Sequence, residues 1–114
     1  MPVFLSLRTV GSITILELGE HLKAENVPEF RDMFQYLAEQ GRIYVLLDGS
    51  HIRIVDSLGI GSLVGNWLSL KKRGGKLGLL NPSSRLRDAQ RLVGMHDHIE
   101  CFDDIGKALP LLAK

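Results

Sequence analysis

Residues 43–73 restrict the possible folds of this chain more than any other stretch. Ile43 to Leu47 are continuously apolar and lack the alternation of a half-exposed strand. Such a run is typical of a strand in a parallel sheet that is covered on both faces. Asp48 ends the strand, and a helix is predicted to begin near Asp56 or Ser57. This order of strand, loop and helix favours an α/β fold in which the loop reaches the surface.

Strands and helices alternate along the rest of the chain. Two strands, 3–8 and 13–18, precede the first helix, and the short turn between them indicates an antiparallel pair. Strands at 76–80 and 99–102 each precede a further helix. The predicted fold is therefore α/β, in the order ββαβαβαβα, with a mostly parallel central sheet and an N-terminal antiparallel edge strand. Since the chain has 114 residues, we predict a single domain spanning 1–114.

Side-chain periodicity predicts which positions face the core. In the first strand Val3, Leu5 and Leu7 share one side, which predicts a half-buried strand. Asn26 is predicted to cap the first helix. Gly78, in the middle of its strand, indicates close packing from a neighbour. Helical spacing predicts inward positions at Ile60, Leu63, Val64, Trp67 and Leu68 in one helix and at Leu86, Ala89 and Val93 in the next.

The composition is that of an ordinary globular domain, with 45% apolar and 24% charged residues. The net charge of +1 provides no field that would favour nucleic acid or an anionic membrane. The single cysteine, Cys101, has acidic neighbours that do not stabilise a thiolate, so a buried packing role is expected. No apolar run reaches the ~18 residues that span a bilayer, and no signal-peptide pattern is visible. A cytoplasmic protein is therefore expected.

Asp56 and Ser57 stand where the central helix is predicted to begin. A helix N-terminus has unpaired backbone N–H groups and the positive end of the helix dipole, so polar side chains there commonly act as caps. Considered alone, the two residues favour a simple capping role. Gly59 and Gly61 are predicted to keep the exposed side of this turn low, so that another protein can reach the serine hydroxyl.

Two segments together resemble the STAS domain of bacterial anti-sigma factor antagonists. They are Val45–Asp48 (VLLD) and, after seven intervening residues, Asp56–Leu63 (DSLGIGSL). The resemblance continues through 74–83 and 92–95 and covers essentially the whole chain. It implies the STAS fold and a binding protein rather than an enzyme, with no cofactor and no metal.

The resemblance also implies a regulatory role for one serine. The residue matching Ser57 is the family's phosphorylation site. An anti-sigma factor with serine kinase activity modifies it, a metal-dependent serine phosphatase restores it, and the unmodified antagonist sequesters the anti-sigma factor and frees the sigma factor. The partner-binding residues expected here are Asp56, Ser57, Leu58, Gly59, Ile60 and Gly61.

One position departs from the family pattern. Many such antagonists carry an acidic residue shortly before the first helix, where this chain has Lys23. The corresponding region helps to form the partner-facing surface in relatives. The substitution therefore leaves open whether the usual partner, or the usual docking contacts, apply to this chain.

Three alternatives of other classes remain. In an enzyme, Asp48 and Asp56 would converge at the carboxyl end of the sheet, but no nucleophile elbow, phosphate loop or complete dinucleotide motif accompanies them. A metal site would use the segment His96–His98, although two histidines on a short loop are usually just exposed. The third alternative is a STAS subunit or scaffold of a transporter, lipid-transport or stress-signalling complex that has no phosphorylation switch.

Overall fold

The computed structural model describes residues 2–95 and 97–112. The strands are β1 (Phe4–Val10), β2 (Ile13–Leu18), β3 (His21–Leu22), β4 (Tyr44–Asp48), β5 (Ile54–Val55), β6 (Lys76–Leu80) and β7 (Glu100–Phe102). The helices are α1 (Val27–Glu39), α2 (Ser57–Lys72), α3 (Ser84–Leu92) and α4 (Ile105–Leu112), with a short 3₁₀ helix, Ala24–Asn26, before α1. In the described residues, no helix combines the length and the apolar character that crossing a membrane requires.

The central sheet has five strands in the order β1-β2-β4-β6-β7. β1 is antiparallel to β2, and the other neighbouring strands are parallel. The predicted mostly parallel sheet with an antiparallel edge strand is thus confirmed. The sequence did not predict the two-stranded parallel sheet of β3 and β5, because each strand is only two residues long and shows no periodicity.

The hydrophobic core lies on both faces of the sheet. Val45 and Leu47 of β4 point into the larger cluster, which α1, α2 and α3 cover, whereas Leu46 points into a smaller cluster beneath α4. All three side chains are fully buried, which confirms a strand covered on both faces for 45–47. The strand begins one residue later than predicted, and Ile43 and Tyr44 are only partly buried. The smaller cluster consists of Ile13, Ile15, Leu46, Leu80, Phe102, Ala108 and Leu112.

The first strand is not half-buried as predicted. Leu5 and Leu7 are 52% and 45% exposed, whereas Val3, just before the strand, is buried. Phe4 stacks on Phe30 of α1 with ring centroids 5.7 Å apart. The prediction was wrong because β1 is an outer strand and because the register shifts between Phe4 and Ser6, which interrupts the regular alternation.

The helix faces are partly as predicted. In α2, Leu68 is 43% exposed and Leu70 is buried instead. In α3, Val93 is exposed because it is the C-cap residue beyond the last helical turn. Gln90 takes an inward position, and its amide donates to the carbonyl of Ile99 at 3.1 Å, so burial of this polar group is compensated.

Predictions for two residues at or beside β7, the other outer strand, have different outcomes. Cys101 is exposed rather than buried, because β7 is an edge strand of the sheet. Close packing at Gly78 is confirmed, since a Cβ atom at this position would lie 2.8 Å from Phe102 Cε2.

Candidate functional site

The serine singled out by the sequence is the first residue of α2, and its side chain is exposed. Asp56 is the N-cap residue, in an extended conformation (φ −108°, ψ 175°), and its Oδ1 accepts from the Gly59 N–H at 2.8 Å. Within residues 2–95 and 97–112, the Ser57 hydroxyl has no hydrogen-bond partner. Asp56 therefore caps the helix, and the Ser57 hydroxyl remains accessible for chemistry or binding.

The second carboxylate oxygen of Asp56 holds another element. Asp56 Oδ2 accepts from the Ala24 N–H at 2.9 Å, at the start of the 3₁₀ helix. The Asp56 N–H donates to the carbonyl of Leu22 in β3 at 3.2 Å. The Asp56 side chain thus holds the start of the 3₁₀ helix next to the start of α2. The parallel pairing of β3 with β5 brings these two segments of the chain together.

These contacts explain the ionisation of Asp56. The N–H of Ala24, followed by that of Gly59, stabilises the carboxylate and holds the pKa of Asp56 below its ordinary value of 3.8. Lys23, close in space, acts in the same direction with a smaller effect. Asp56 is therefore ionised at neutral pH and remains a competent cap.

The two glycines of the turn have different environments. Gly59 is buried, and a Cβ atom there would overlap the backbone carbonyl group of Leu22. Gly61 is exposed, and a Cβ atom there would have no neighbour within 4 Å. Ile60 is only 5% exposed. The expectation that both glycines shape the outer surface is therefore correct only for Gly61, and Gly59 and Ile60 support the turn from beneath.

An apolar groove of about 410 Å³ runs beside Ser57. Leu58, 63% exposed, forms part of one wall, and Val27 and Pro28 from the start of α1 belong to the other. Sequence reasoning did not assign these two residues to the site, because nothing in the chain shows that the start of α1 lies next to the start of α2. The lining residues are Ala24, Val27, Pro28, Ser57, Leu58, Gly61 and Ser62.

The segment before α1 also differs from expectation. Asn26 makes no side-chain hydrogen bond to α1, and its Oδ1 instead accepts from the Lys23 N–H at 3.0 Å. The predicted cap is therefore wrong, because the 3₁₀ turn uses this side chain. Lys23 is half-buried, with Nζ 3.4 Å from Glu25 Oε1.

The side chains considered for an enzyme are engaged elsewhere. Asp48 Oδ1 accepts from both the N–H and the hydroxyl of Ser50, at 3.0 and 2.8 Å. His51 Nε2 lies 2.9 Å from Glu17 Oε2, and this contact is the largest cause of the lowered pKa of Glu17. Among the described residues, no histidine forms a hydrogen bond with Ser57.

The segment considered as a metal site is only partly described. His96 lies outside the described residues, and His98 packs against the Trp67 ring with centroids 5.9 Å apart. In the described ranges, no three histidine, cysteine or acidic side chains are grouped so that they could hold a metal ion.

Asp56 gives the start of α2 a testable pH dependence. We expect Asp56→Ala to lower the urea midpoint of unfolding at pH 7, and Asp56→Asn to lower it less, because asparagine keeps one acceptor oxygen for the Gly59 N–H. The folded-state pKa is depressed, so this stabilisation is present above 3.8, the ordinary pKa, and is lost as the pH falls through the folded-state value. Urea titrations of wild type and both variants between pH 7 and about pH 2.5 test this. A wild-type advantage over Asp56→Ala that does not shrink at acid pH would contradict it.

Solved structures share this architecture at low sequence identity. TM1081 from Thermotoga maritima, described as a candidate anti-sigma factor antagonist, has a TM-score of 0.87 and 22% identity, over 97% of this chain and 95% of that one. Unphosphorylated SpoIIAA, an anti-sigma factor antagonist, has a TM-score of 0.72 and 21% identity over 93% of this chain and 94% of that one. The phosphorylated form of Bacillus SpoIIAA has a TM-score of 0.73 and 19% identity over 93% of this chain and 97% of that one.

A mammalian membrane protein contains the same fold. The murine anion transporter Slc26a9 matches with a TM-score of 0.72 and 20% identity over 91% of this chain but only 18% of the transporter. No curated protein matches the chain in sequence. The model of the STAS domain family matches residues 5–108. The chain therefore belongs to the STAS domain family.

Proposed function

We propose that the chain is a cytoplasmic anti-sigma factor antagonist. It sequesters an anti-sigma factor with serine kinase activity while Ser57 is unphosphorylated, and so regulates transcription indirectly. The same kinase phosphorylates Ser57, and a metal-dependent serine phosphatase reverses the modification. The observation that carries this proposal is the exposed Ser57 hydroxyl, free of hydrogen bonds to the described residues, on the wall of an apolar groove. The protein is a binding protein in this scheme and catalyses no reaction itself.

Phosphorylation of Ser57 is compatible with the folded state. A phosphate adds about −1.5 to −2 charges at neutral pH, and the N-terminus of a helix favours negative charge. α2 is long enough, at 16 residues, to provide such an end. Because Asp56 already makes the capping contacts, a modified Ser57 loses no hydrogen bond that holds the turn.

Partner binding is the property that phosphorylation changes. A partner fitted to Leu58 and the groove must cover the Ser57 hydroxyl beside the ionised Asp56. A phosphate there is bulky, strongly hydrated and adjacent to a second negative group, so burial against the partner becomes unfavourable. Gly59 and Ile60 contribute by holding the turn in place, while Leu58 and Gly61 provide exposed surface.

Lys23 gives the surface its own charge pattern. It stands next to Asp56 and contributes positive charge where many relatives have an acidic residue. Glu25 and Asp56 lie beside it, so the surface is of mixed charge. We expect the partner of this chain to place no cationic group directly opposite Lys23, because like charges across an interface disfavour binding.

Mass spectrometry tests the proposal directly. The protein is isolated from its own cells during growth and under stress, and intact mass measurement is followed by peptide mapping. We expect one phosphoryl group on Ser57, with an occupancy that changes between conditions. A Ser57→Ala variant expressed in the same cells should stay unmodified, whereas Ser84→Ala should be modified as wild type. The same measurement is made in a strain that lacks the phosphatase, where phosphate should accumulate. Absence of phosphate on Ser57 in that strain under every condition would exclude the switch.

A second candidate is a STAS subunit or scaffold without a switch. The likeness to one part of the transporter Slc26a9 supports this candidate, since the fold occurs there within a larger membrane protein. The two candidates differ in behaviour during purification. A static subunit co-purifies in fixed proportion with its complex whatever the growth condition, whereas a switched antagonist exchanges partners as the phosphate on Ser57 changes.

A further inference from the structure

The outer side of β1 is a long and accessible strand edge. β1 has seven residues, whereas the opposite edge strand, β7, has three. Between Phe4 and Val10 there is no proline, and Arg8 is the one charged residue among those with which proteins often protect a sheet edge. Leu5 and Leu7 leave exposed apolar surface beside it. In the described residues no strand pairs with this edge.

The hairpin geometry identifies the backbone groups that point outward. Val10 pairs with Ile13 across a two-residue turn in which Gly11 has φ +59°. The pair that flanks such a turn exchanges both hydrogen bonds, and the pattern then alternates along the strands. Val10 and Arg8 therefore bond inward to β2, and Leu7 and Thr9 direct their N–H and C=O groups outward.

We propose that this edge pairs with the same edge of a second copy of the chain, antiparallel and with Leu7 on the two-fold axis. In this register Leu7 faces Leu7 of the other copy, and their outward backbone groups form hydrogen bonds. Arg8 of each copy then faces Ser6 of the other. The irregularity between Phe4 and Ser6 leaves Leu5 outside the regular ladder, so the paired segment is Ser6 to Arg8 of each copy.

The charges of the strand favour this register. Ser6 is paired with Glu17 of β2, and its hydroxyl donates to Glu17 Oε1 at 2.9 Å. Arg8 of the second copy lies beside Ser6, and Ser6 lies beside Glu17, so the arginine and Glu17 are separated by one strand and attract each other. The two-fold symmetry forms this attraction twice. Sliding the copies until Arg8 faces Arg8 would oppose like charges, which is destabilising in a cross-strand pair. The second copy is thus complementary in charge as well as in backbone hydrogen bonding.

Cysteine cross-linking tests the register. In a Cys101→Ser background, we expect Leu7→Cys to form a disulfide-linked dimer under mild oxidation, because Cα atoms of a hydrogen-bonded antiparallel pair lie about 5.5 Å apart, within disulfide range. Thr9→Cys is the matched control. Thr9 lies beyond the paired segment, two residues from Leu7 in each copy. The two Thr9 Cα atoms are therefore about four residues apart along the strands, roughly 13 Å, which is too far for a disulfide. Equal cross-linking of both variants would overturn the register.

Sedimentation velocity over a concentration series tests the interface itself. We expect a reversible wild-type dimer and a dissociation constant at least about tenfold higher for Leu7→Arg, which brings two like charges to the axis. Leu92→Arg, at an 88% exposed position of α3, should leave the dimer unchanged. Circular dichroism checks that both variants are folded. A wild-type monomer at millimolar concentration, or a dimer that Leu7→Arg leaves intact, would overturn the proposal.

Discussion

Substitution of Gly59 by alanine is expected to destabilise the protein by about 3 kcal/mol, close to the upper end of the range for overpacked sites. The added methyl group would overlap the carbonyl group of Leu22. That carbonyl accepts from the Asp56 N–H, so it cannot move without loosening the cap of α2. The obstacle is backbone rather than the end of a flexible side chain, and we therefore expect little local relaxation.

Gly61→Ala is the matched control for this prediction. It adds the same methyl group two residues later on the same helix, at an exposed position with no neighbour within 4 Å. Alanine is preferred over glycine inside helices, so this variant should be stabilised by about 0.5–1 kcal/mol. Urea unfolding of the two variants and wild type at pH 7 measures both changes. Equal stability of Gly59→Ala and wild type would show that α2 does not pack on Leu22 as described.

Under the proposed function, Ser57→Asp is expected to weaken binding of the anti-sigma factor at least about 100-fold, which corresponds to roughly 2.7 kcal/mol. The carboxylate adds a second negative charge beside Asp56 at the edge of the groove. The fold should persist, since an acidic residue in the first turn of a helix is favourable. Ser57→Ala should bind as unphosphorylated wild type and should not be released by the kinase reaction.

A matched variant separates the position of the charge from the charge itself. Ser84 is the first residue of α3, and it follows a capping residue, Ser83, as Ser57 follows Asp56. Ser84→Asp therefore places the same charge at the same helical position away from the groove and should bind normally. The test is isothermal titration calorimetry with the anti-sigma factor that co-purifies with unphosphorylated protein. Equal affinities of Ser57→Asp and Ser57→Ala would refute the switch.

The sequence predicted features that depend on long or periodic segments. The apolar run of β4 predicted a central strand, and the pair Asp56-Ser57 predicted the start of α2 to within one residue. The exposure of Leu5 and Leu7 was not predictable in the same way. Alternation indicates which side chains share a face of β1, but it does not reveal that β1 is the outermost strand.

The architecture of the site depends on contacts between distant segments. Gly59 and Gly61 look equivalent in the sequence, and only the position of Leu22 makes one of them indispensable and the other replaceable. The wall of the groove at Val27 and Pro28 becomes part of the site because Asp56 binds the Ala24 N–H, 32 residues earlier in the chain. Pairings across such a separation leave no local signal in one sequence.

The use of Asp56 rather than Ser57 as the helix cap has an evolutionary consequence. The atoms that stabilise the turn and the atom proposed to be modified belong to neighbouring but separate side chains. Residue 57 is exposed, so it can change without loss of the fold. Under the proposed function, a single codon change to alanine would fix a lineage in the binding state, and a change to aspartate would fix it in the released state. Domains of this kind can therefore gain or lose regulation while their structure stays the same.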